Sequence, residues 1–183
     1  TGTVSGQQNI FIGDNAGGGS WTTAASNSNV AIGATAMSAA LNGALGNTTV
    51  GHDGLKSLIS GDNNVAIGRV AGTSVTSGYN NVMLGAYAGD AITTGESNTA
   101  LGNAALSAED TGTRNVAIGN EALKDLNYDG AGYNLAIGHR AAYTLTTQTK
   151  TIFIGAFAGS ALTTSGDSNM AIGYGAMGGA EVG

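Results

Sequence analysis

The chain lacks cysteine and proline, and only 10% of its 183 residues are charged. Without cysteine no disulfide can stabilise the fold, and cysteine usage does not indicate whether the protein works in an oxidising or a reducing compartment. Proline has no backbone N–H to give to a strand ladder, so its absence suits strands that stack without interruption. No run of 18 apolar residues occurs, and the sequence therefore predicts no membrane span.

Positive charge is also scarce. Six Lys and Arg residues are scattered along the chain against twelve Asp and Glu, which leaves a net charge of −6. A surface that binds nucleic acid needs clustered Lys and Arg to neutralise phosphates. We therefore expect no nucleic-acid partner.

Glycine is abundant, and one glycine marks a repeat. The pattern Asn-Val-Ala-Ile-Gly at residues 64–68 occurs ten times with substitutions. The glycine that ends each copy is here called the ruler glycine, and positions are counted from it, so that position −1 precedes it. The ruler glycines are Gly13, Gly33, Gly51, Gly68, Gly85, Gly102, Gly119, Gly138, Gly155 and Gly173. The interval between them is about 17 residues, and the first interval is the longest.

A short fixed period predicts a solenoid, in which each repeat forms one coil. The period runs through residues 1–183, so we interpret the chain as a single repeat array without a domain boundary. The chain begins at Thr1 without a methionine, and its first and last residues already belong to the repeat. We therefore expect a fragment of a longer fibre or adhesin.

Position −4 is asparagine in nine of ten copies, with Thr151 in the tenth. These residues are Asn9, Asn29, Asn47, Asn64, Asn81, Asn98, Asn115, Asn134 and Asn169. Identical amides one coil apart can hydrogen-bond along the stack. We predict a structural ladder rather than a ligand site.

Positions −3 and −1 share one face of a short strand and are mostly aliphatic, which we interpret as the core. Position −1 holds Ile12, Ile32, Val50, Ile67, Leu84, Leu101, Ile118, Ile137, Ile154 and Ile172. Position −3 holds Ile10, Val30, Thr48, Val65, Val82, Thr99, Val116, Leu135, Ile152 and Met170. Polar and charged residues such as His52, Asp53 and Arg69 follow the ruler glycine, and we expect them to be exposed.

Position −2 lies on the opposite face and is mostly alanine, with Phe11, Thr49, Met83 and Phe153 among its exceptions. Small uncharged residues there predict close approach of a second body. The simplest such body is another copy of the chain, and a cyclic homotrimer is the preferred assembly.

Alanine recurs at position +3 and an aliphatic residue at position +7, which predicts a second strand in each coil. The fold class expected is all-β: a parallel β-solenoid, or β-roll, of about ten 17-residue coils with two sheets face to face. A repeated helix pair does not fit, because a unit of about 17 residues is too short for two helices with their turns.

The Asn-Val-Ala-Ile-Gly repeats resemble the head repeats of trimeric autotransporter adhesins, which are left-handed parallel β-rolls assembled as trimers. The Thr-Thr-Gly spacer at residues 93–98, nearly repeated at 163–169, is similar to repeats in bacteriophage tail fibres. The resemblance covers all ten copies. The 17-residue period and the asparagine that opens the motif favour a phage fibre.

The resemblance implies a structural and adhesive fibre segment that spaces and presents host-receptor binding, on a virion or on an extracellular cell surface. The head of a bacterial trimeric adhesin is the alternative. A lesser one is an ice-binding solenoid, suggested by the threonine pairs at residues 93–94, 146–147 and 163–164. Expected partners are the chain itself and a host-surface glycan or protein receptor.

Enzymatic motifs are absent, and we expect neither catalysis nor a cofactor nor a metal. His52 and His139 lie five coils apart; across a threefold axis either could form a ring of three, but solvated surface histidines are the preferred interpretation. Glu109 and Asp110 are expected to be solvated surface as well.

Irregular coils are where a ligand site could be added. The long spacer after Gly13 carries Trp21, and the insertion after Gly119 brings Tyr128 and Tyr133. These three aromatic residues are candidate glycan contacts, although loop aromatics more often fold back over a coil.

Overall fold

In the computed structural model, residues 6–19, 24–162 and 166–178 are described, and they contain ten three-residue strands and no helix. The strands are β1 (Ile10–Ile12), β2 (Val30–Ile32), β3 (Thr48–Val50), β4 (Val65–Ile67), β5 (Val82–Leu84), β6 (Thr99–Leu101), β7 (Val116–Ile118), β8 (Leu135–Ile137), β9 (Ile152–Ile154) and β10 (Met170–Ile172). They form one parallel sheet in chain order. This confirms the expected all-β parallel solenoid, in which each short coil contributes a strand.

Each strand pairs with the next at the same repeat position. Ala66 of β4 lies beside Met83 of β5, and Ile67 lies beside Leu84. A slip of one residue would exchange the two faces of a strand, so each position forms a straight row on one face. The longer spacing between β7 and β8 leaves this register unchanged, because the extra residues lie outside the strands.

The ruler glycine ends each strand in a conformation that a larger residue could not share. Gly68 has a φ of +139°, and a Cβ on it would overlap the carbonyl oxygen of Gly85 in the next coil. The next coil cannot move away without losing the strand hydrogen bonds. Both constraints explain why glycine recurs at this point of every coil.

Among the described residues the other half of each coil consists of turns and forms no second sheet, so the prediction of a second sheet is wrong. Positions +2 and +4 adopt left-handed backbone conformations, with a φ of 58° at Asp53 and 45° at Leu55. Such residues reverse the chain direction and interrupt any extended segment. The turns still bond coil to coil, since Asp53 N–H donates to the Ala34 carbonyl at 3.1 Å and Leu55 N–H to the Ala71 carbonyl at 3.1 Å.

The two faces of the strands are also opposite to the prediction. Ala66 at position −2 is completely buried, whereas 41% of the adjacent Ile67 is exposed. In β2 to β10 the middle residue is buried and the two outer residues are half-buried or exposed. Position −2 therefore faces the interior of the coil and not a second copy. The aliphatic residues at −3 and −1 point outward.

The interior of the coil is narrow, and positions −2 and +4 share its volume. Where position −2 is large, position +4 is glycine: a Cβ on Gly159 would lie 2.5 Å from Phe153, and one on Gly89 would lie 3.0 Å from Met83. Where position −2 is alanine, position +4 is Leu or Met in four coils: Ala31 with Met37, Ala100 with Leu106, Ala117 with Leu123, and Ala171 with Met177. Two coils differ: Gly72 follows Ala66 but lies against Met83 of the next coil, and Ala142 follows Ala136. Met177, in the last coil, is 46% exposed.

Candidate functional site

The asparagines at position −4 form a hydrogen-bonded row inside the solenoid. Asn98 Oδ1 accepts the backbone N–H of Asn115 at 3.0 Å and the Nδ2 of Asn115 at 3.3 Å. Asn98 Nδ2 donates to the Gly112 carbonyl at 2.8 Å. Seven of these residues are buried: Asn29, Asn47, Asn64, Asn81, Asn98, Asn115 and Asn134. Their amides bind neighbouring coils together rather than a ligand.

The row changes at its ends and at its one substitution. Thr151 keeps the contact to the preceding coil, since its hydroxyl and its N–H donate to Asn134 Oδ1 at 2.8 Å and 3.1 Å. Asn9 Oδ1 accepts the N–H of Asn29 at 2.9 Å. Asn169 donates to the carbonyl three residues before it. A hydroxyl can therefore take over the bond to the preceding coil from the amide.

The two histidines lie exposed on the outside of the coils. His52 Nδ1 is 3.0 Å from Asp53 Oδ2, and Lys56 Nζ is 3.0 Å from Asp53 Oδ1. A hydrogen bond from the Thr35 hydroxyl, at 2.6 Å, lowers the pKa of Asp53, and Lys56 and His52 add to this effect. Within the described ranges, no group of three or more His, Cys, Asp or Glu residues could hold a metal ion.

The outer face of the sheet is largely aliphatic, with Thr48 and Thr99 as its polar members. We call positions −3 and −1 of the ten strands the aliphatic stripe; it contains no charged residue. Along it, Ile12 is 57% exposed, Leu84 37% and Ile172 65%. Ten strands spaced about 4.8 Å apart make the stripe roughly 45 Å long. Contiguous exposed apolar surfaces of this extent mark interaction sites.

A cleft of about 470 Å³ opens where the array is irregular. The coil from Gly119 to Gly138 is longer than the coil before it, from Gly102 to Gly119, and its closing turn contains Tyr128. We call this opening the Tyr128 cleft. Its walls are Asp110, Asn127, Tyr128, Asp129 and Thr147.

Glu109 lies next to this cleft and is completely buried, so its prediction as solvated surface is wrong. Its Oε1 accepts the N–H of Gly112 at 2.7 Å, and its Oε2 accepts the N–H of Tyr128 at 3.3 Å. Burial raises the pKa of Glu109 to about 6, although these hydrogen bonds oppose the shift. Counting from the ruler glycine reveals the cause, since Glu109 occupies position +7, where the neighbouring coils carry Ile92 and Leu126.

The three candidate glycan contacts do not form one site in the described part of the chain. Tyr128 lines the cleft, but Tyr133 lies outside its walls. Tyr133 is 54% exposed, with the guanidinium carbon of Arg114 5.8 Å from its ring centroid. Trp21 lies outside the described residues. The sequence interpretation overlooked the polar walls of the cleft, which the insertion after Gly119 could have indicated.

Fold and surface together define a parallel β-solenoid with one apolar outer face. In comparisons with known proteins, no protein-family model, no curated protein and no solved structure matches the chain. The described residues also form no helix long and apolar enough to cross a membrane. The stripe and the cleft are the two surface features that bear on function.

Proposed function

We propose that the chain is a structural and adhesive segment of a surface fibre, a rod that assembles as a homotrimer through the aliphatic stripe. The observation that carries this proposal is the exposure of aliphatic side chains along the sheet, as at Ile67 and Leu84. Covering a side chain of this size stabilises by up to about 1.5–3 kcal/mol. Eight of the ten coils have two apolar side chains at these positions, and the other two have one, because Thr48 and Thr99 stand at position −3. Together they provide a large driving force for association.

The shape of the stripe favours three chains around an axis. It is two side chains wide, and the residues at positions −5 and +1 that border it are polar or small, apart from Tyr133 and Tyr174. Chains with their coils in register around a threefold axis bring position −5 of one chain next to position +1 of its neighbour. No coil then pairs like charges, because Arg114 meets Asn120 and Lys150 meets Ala156.

The rod would act by geometry and not by chemistry. Its amide row and its turns are engaged in coil-to-coil hydrogen bonds, which suits a spacer that holds a receptor-binding part away from its base. A virion tail fibre or a cell-surface adhesin would use such a segment in the same way.

Ice binding is less well supported. Thr93 lies between strands and donates its hydroxyl to the Asp110 carbonyl at 3.1 Å, so this hydroxyl bonds to the next coil. The threonine pair at residues 163–164 lies outside the described residues. An ice-binding plane would need free hydroxyls in a regular array on a strand face.

Sedimentation equilibrium of the parent and three variants tests the assembly. We expect the parent at three times the 17.8 kDa mass of one chain. Ile118→Glu should give a folded monomer, because it places a charge on the stripe without entering the coil. Thr94→Glu, on an exposed turn, should stay trimeric.

Ala117→Glu is the contrasting variant on the same strand. Ala117 is completely buried inside the coil, so a carboxylate there should unfold the neighbouring coils rather than separate folded chains. Circular dichroism would distinguish the two outcomes. A monomeric parent, or an Ile118→Glu variant that remains trimeric, would refute the proposed assembly.

A further inference from the structure

We propose that the Tyr128 cleft binds a neutral saccharide, with the Tyr128 ring as the stacking surface and Asp110, Asp129 and Asn127 as hydrogen-bonding groups. This inference rests on the adhesive role proposed above and deepens it by assigning it a ligand class and a position. The cleft residues stand at positions +8 to +10 of their coils, apart from the strands that carry the aliphatic stripe. Each chain of a trimer would carry one such site.

The aromatic surface is held in place before any ligand arrives. Tyr128 is half-buried and packs against the hydrophobic core. Gly130 closes a tight turn behind it, with its N–H donating to the Tyr128 carbonyl at 2.8 Å. A Cβ on Gly130 would lie 2.9 Å from Tyr128 Cε1, so a side chain there would press on the ring. A fixed aromatic ring can stack on the C–H face of a sugar with little loss of side-chain entropy.

The polar walls leave hydrogen-bonding capacity directed at a ligand. Asp110 Oδ1 accepts the N–H of Thr111 at 2.7 Å, and Asp129 Oδ1 accepts the Thr111 hydroxyl at 2.6 Å. The second oxygen of each carboxylate has no hydrogen-bond donor within the described residues. Adjacent sugar hydroxyls are donors that suit these oxygens, and the exposed Asn127 side chain offers both donors and an acceptor.

The charge of the cleft selects among saccharides. Two carboxylates face the opening, and no Lys or Arg contributes to its walls. A sugar that carries a carboxylate or sulfate would meet like charge at short range. We therefore expect neutral hexoses and N-acetylhexosamines to bind, and acidic glycans to be rejected.

Glu109 acts as a positioning residue for this cleft. Its two carboxylate oxygens hold Gly112 of one closing turn and Tyr128 of the next. The carboxylate is completely buried, so it cannot contact a ligand in the cleft. It fixes the separation of the two turns between which the cleft opens.

Binding to an array of immobilised oligosaccharides, both neutral and sialylated or sulfated, tests the inference. The strongest neutral binder is then titrated calorimetrically into the parent, Tyr128→Ala, Gly130→Val and the control Tyr133→Ala. We expect both cleft variants to weaken binding about tenfold or more, the size of one aromatic stacking contact. Tyr133→Ala should bind as the parent does. Asp129→Asn should tolerate acidic glycans better than the parent.

Absence of neutral binders, a preference for acidic glycans, or unchanged binding by both Tyr128→Ala and Gly130→Val would overturn the inference. Gly130→Val keeps every polar wall residue, so it remains informative if Tyr128→Ala does not fold. Sedimentation of the same samples separates this result from the assembly proposal. A trimer that binds no glycan refutes only the cleft, and a monomer that binds one refutes only the trimer.

Discussion

The side chains at positions −2 and +4 share the narrow interior of each coil, so the size of one limits the size of the other. Phe153 occupies most of it in its own coil, which leaves room only for Gly159. Ala117 occupies little, and Leu123 fills the remainder in the same buried core. Both pairs of residues fill the interior of their coil, as close packing requires.

Replacing the pair Phe153 and Gly159 by alanine and leucine tests which face of the strand points into the coil. Phe153→Ala alone should cost about 3–5 kcal/mol through the cavity it leaves. Gly159→Leu alone should also destabilise, because the leucine would overlap the ring. The double variant should recover much of the loss, since it copies Ala117 and Leu123. Leucine can adopt the backbone conformation of Gly159, because Leu123 has a φ of 48° where Gly159 has 66°.

Urea unfolding of the parent, both single variants and the double variant gives the coupling between the two sites. Two losses that simply add within about 0.5 kcal/mol would contradict the shared interior. The coils on either side of Phe153 and Gly159 keep the parent sequence in every variant, so differences in the free energy of unfolding come from the changed coil.

Glu109 makes stability depend on pH through its buried carboxylate. Its pKa is raised from 4.5 to about 6 in the folded chain, so the folded chain holds the proton more tightly than the unfolded chain. The stabilisation from protonation is complete below pH 4.5 and is lost as the pH rises through 6. This rise in pKa corresponds to about 2 kcal/mol in the free energy of unfolding. Glu109→Gln should remove this part of the pH dependence.

Thermal melting between about pH 4.5 and 7.5 covers the interval in which this stabilisation is lost. A parent and a Glu109→Gln variant with parallel profiles would contradict the burial of this carboxylate. Asp125→Asn is the control, because Asp125 is a partly exposed carboxylate that does not contribute to the raised pKa of Glu109.

At the scale of the structural element, each coil contributes one strand, one amide and a set of turns. The period alone predicts the strand positions and their register. Residues one period apart, such as Ile67 and Leu84, take the same place in successive coils and therefore pair. The orientation of the strand is not predictable from alternation, since Ala66 and Ile67 are both apolar and threonine occurs on both faces, at Thr48 and Thr49. The reciprocal sizes of Phe153 and Gly159 carry that information, because only side chains that share a cavity must compensate for each other.

The second sheet was predicted from the aliphatic residue at position +7, which is an inward side chain on a turn. Residues with a left-handed backbone conformation, such as Leu55, lie nearby and exclude an extended strand. The sequence gives little indication of this conformation where the residue is not glycine. The Tyr128 cleft was only partly predictable. The insertion marks its place, but the contribution of Asp110 from the preceding coil depends on how the coils stack.

The amide row can be tested at Asn98. Asn98→Ala removes the acceptor of the Asn115 N–H and the donor to the Gly112 carbonyl. Each buried polar group left without a partner costs about 1–3 kcal/mol. Asn98→Thr should lose less, because a threonine hydroxyl can donate to the amide oxygen of the preceding coil, as Thr151 does to Asn134.

Hydrogen exchange of the Asn115 amide reports the effect locally, and denaturant unfolding reports it globally. Asn103→Ala is the control, since that asparagine is exposed and should change stability by no more than about 0.5 kcal/mol. Equal losses for Asn98→Ala and Asn103→Ala would contradict a structural role for the row.

At the scale of the whole molecule, the coils form a rod whose stability depends on contacts between neighbours. One-dimensional arrays gain stability from the interface between successive repeats. A single chain of this kind still exposes its aliphatic stripe along the whole sheet. Assembly around that stripe would cover the surface and stiffen the rod, which links the fold to its proposed role as a spacer.

Distances between chains test whether the stripe faces a threefold axis. The chain contains no cysteine, so a single substitution gives one labelling site. Spin labels at Asn120→Cys, beside the stripe, and at Thr94→Cys, on an exposed turn, would be measured by pulsed electron paramagnetic resonance. The threefold arrangement predicts one interchain distance at each site, shorter for Asn120 than for Thr94, and a modulation depth of three coupled spins. No interchain coupling at Asn120, or a shorter distance at Thr94, would contradict it.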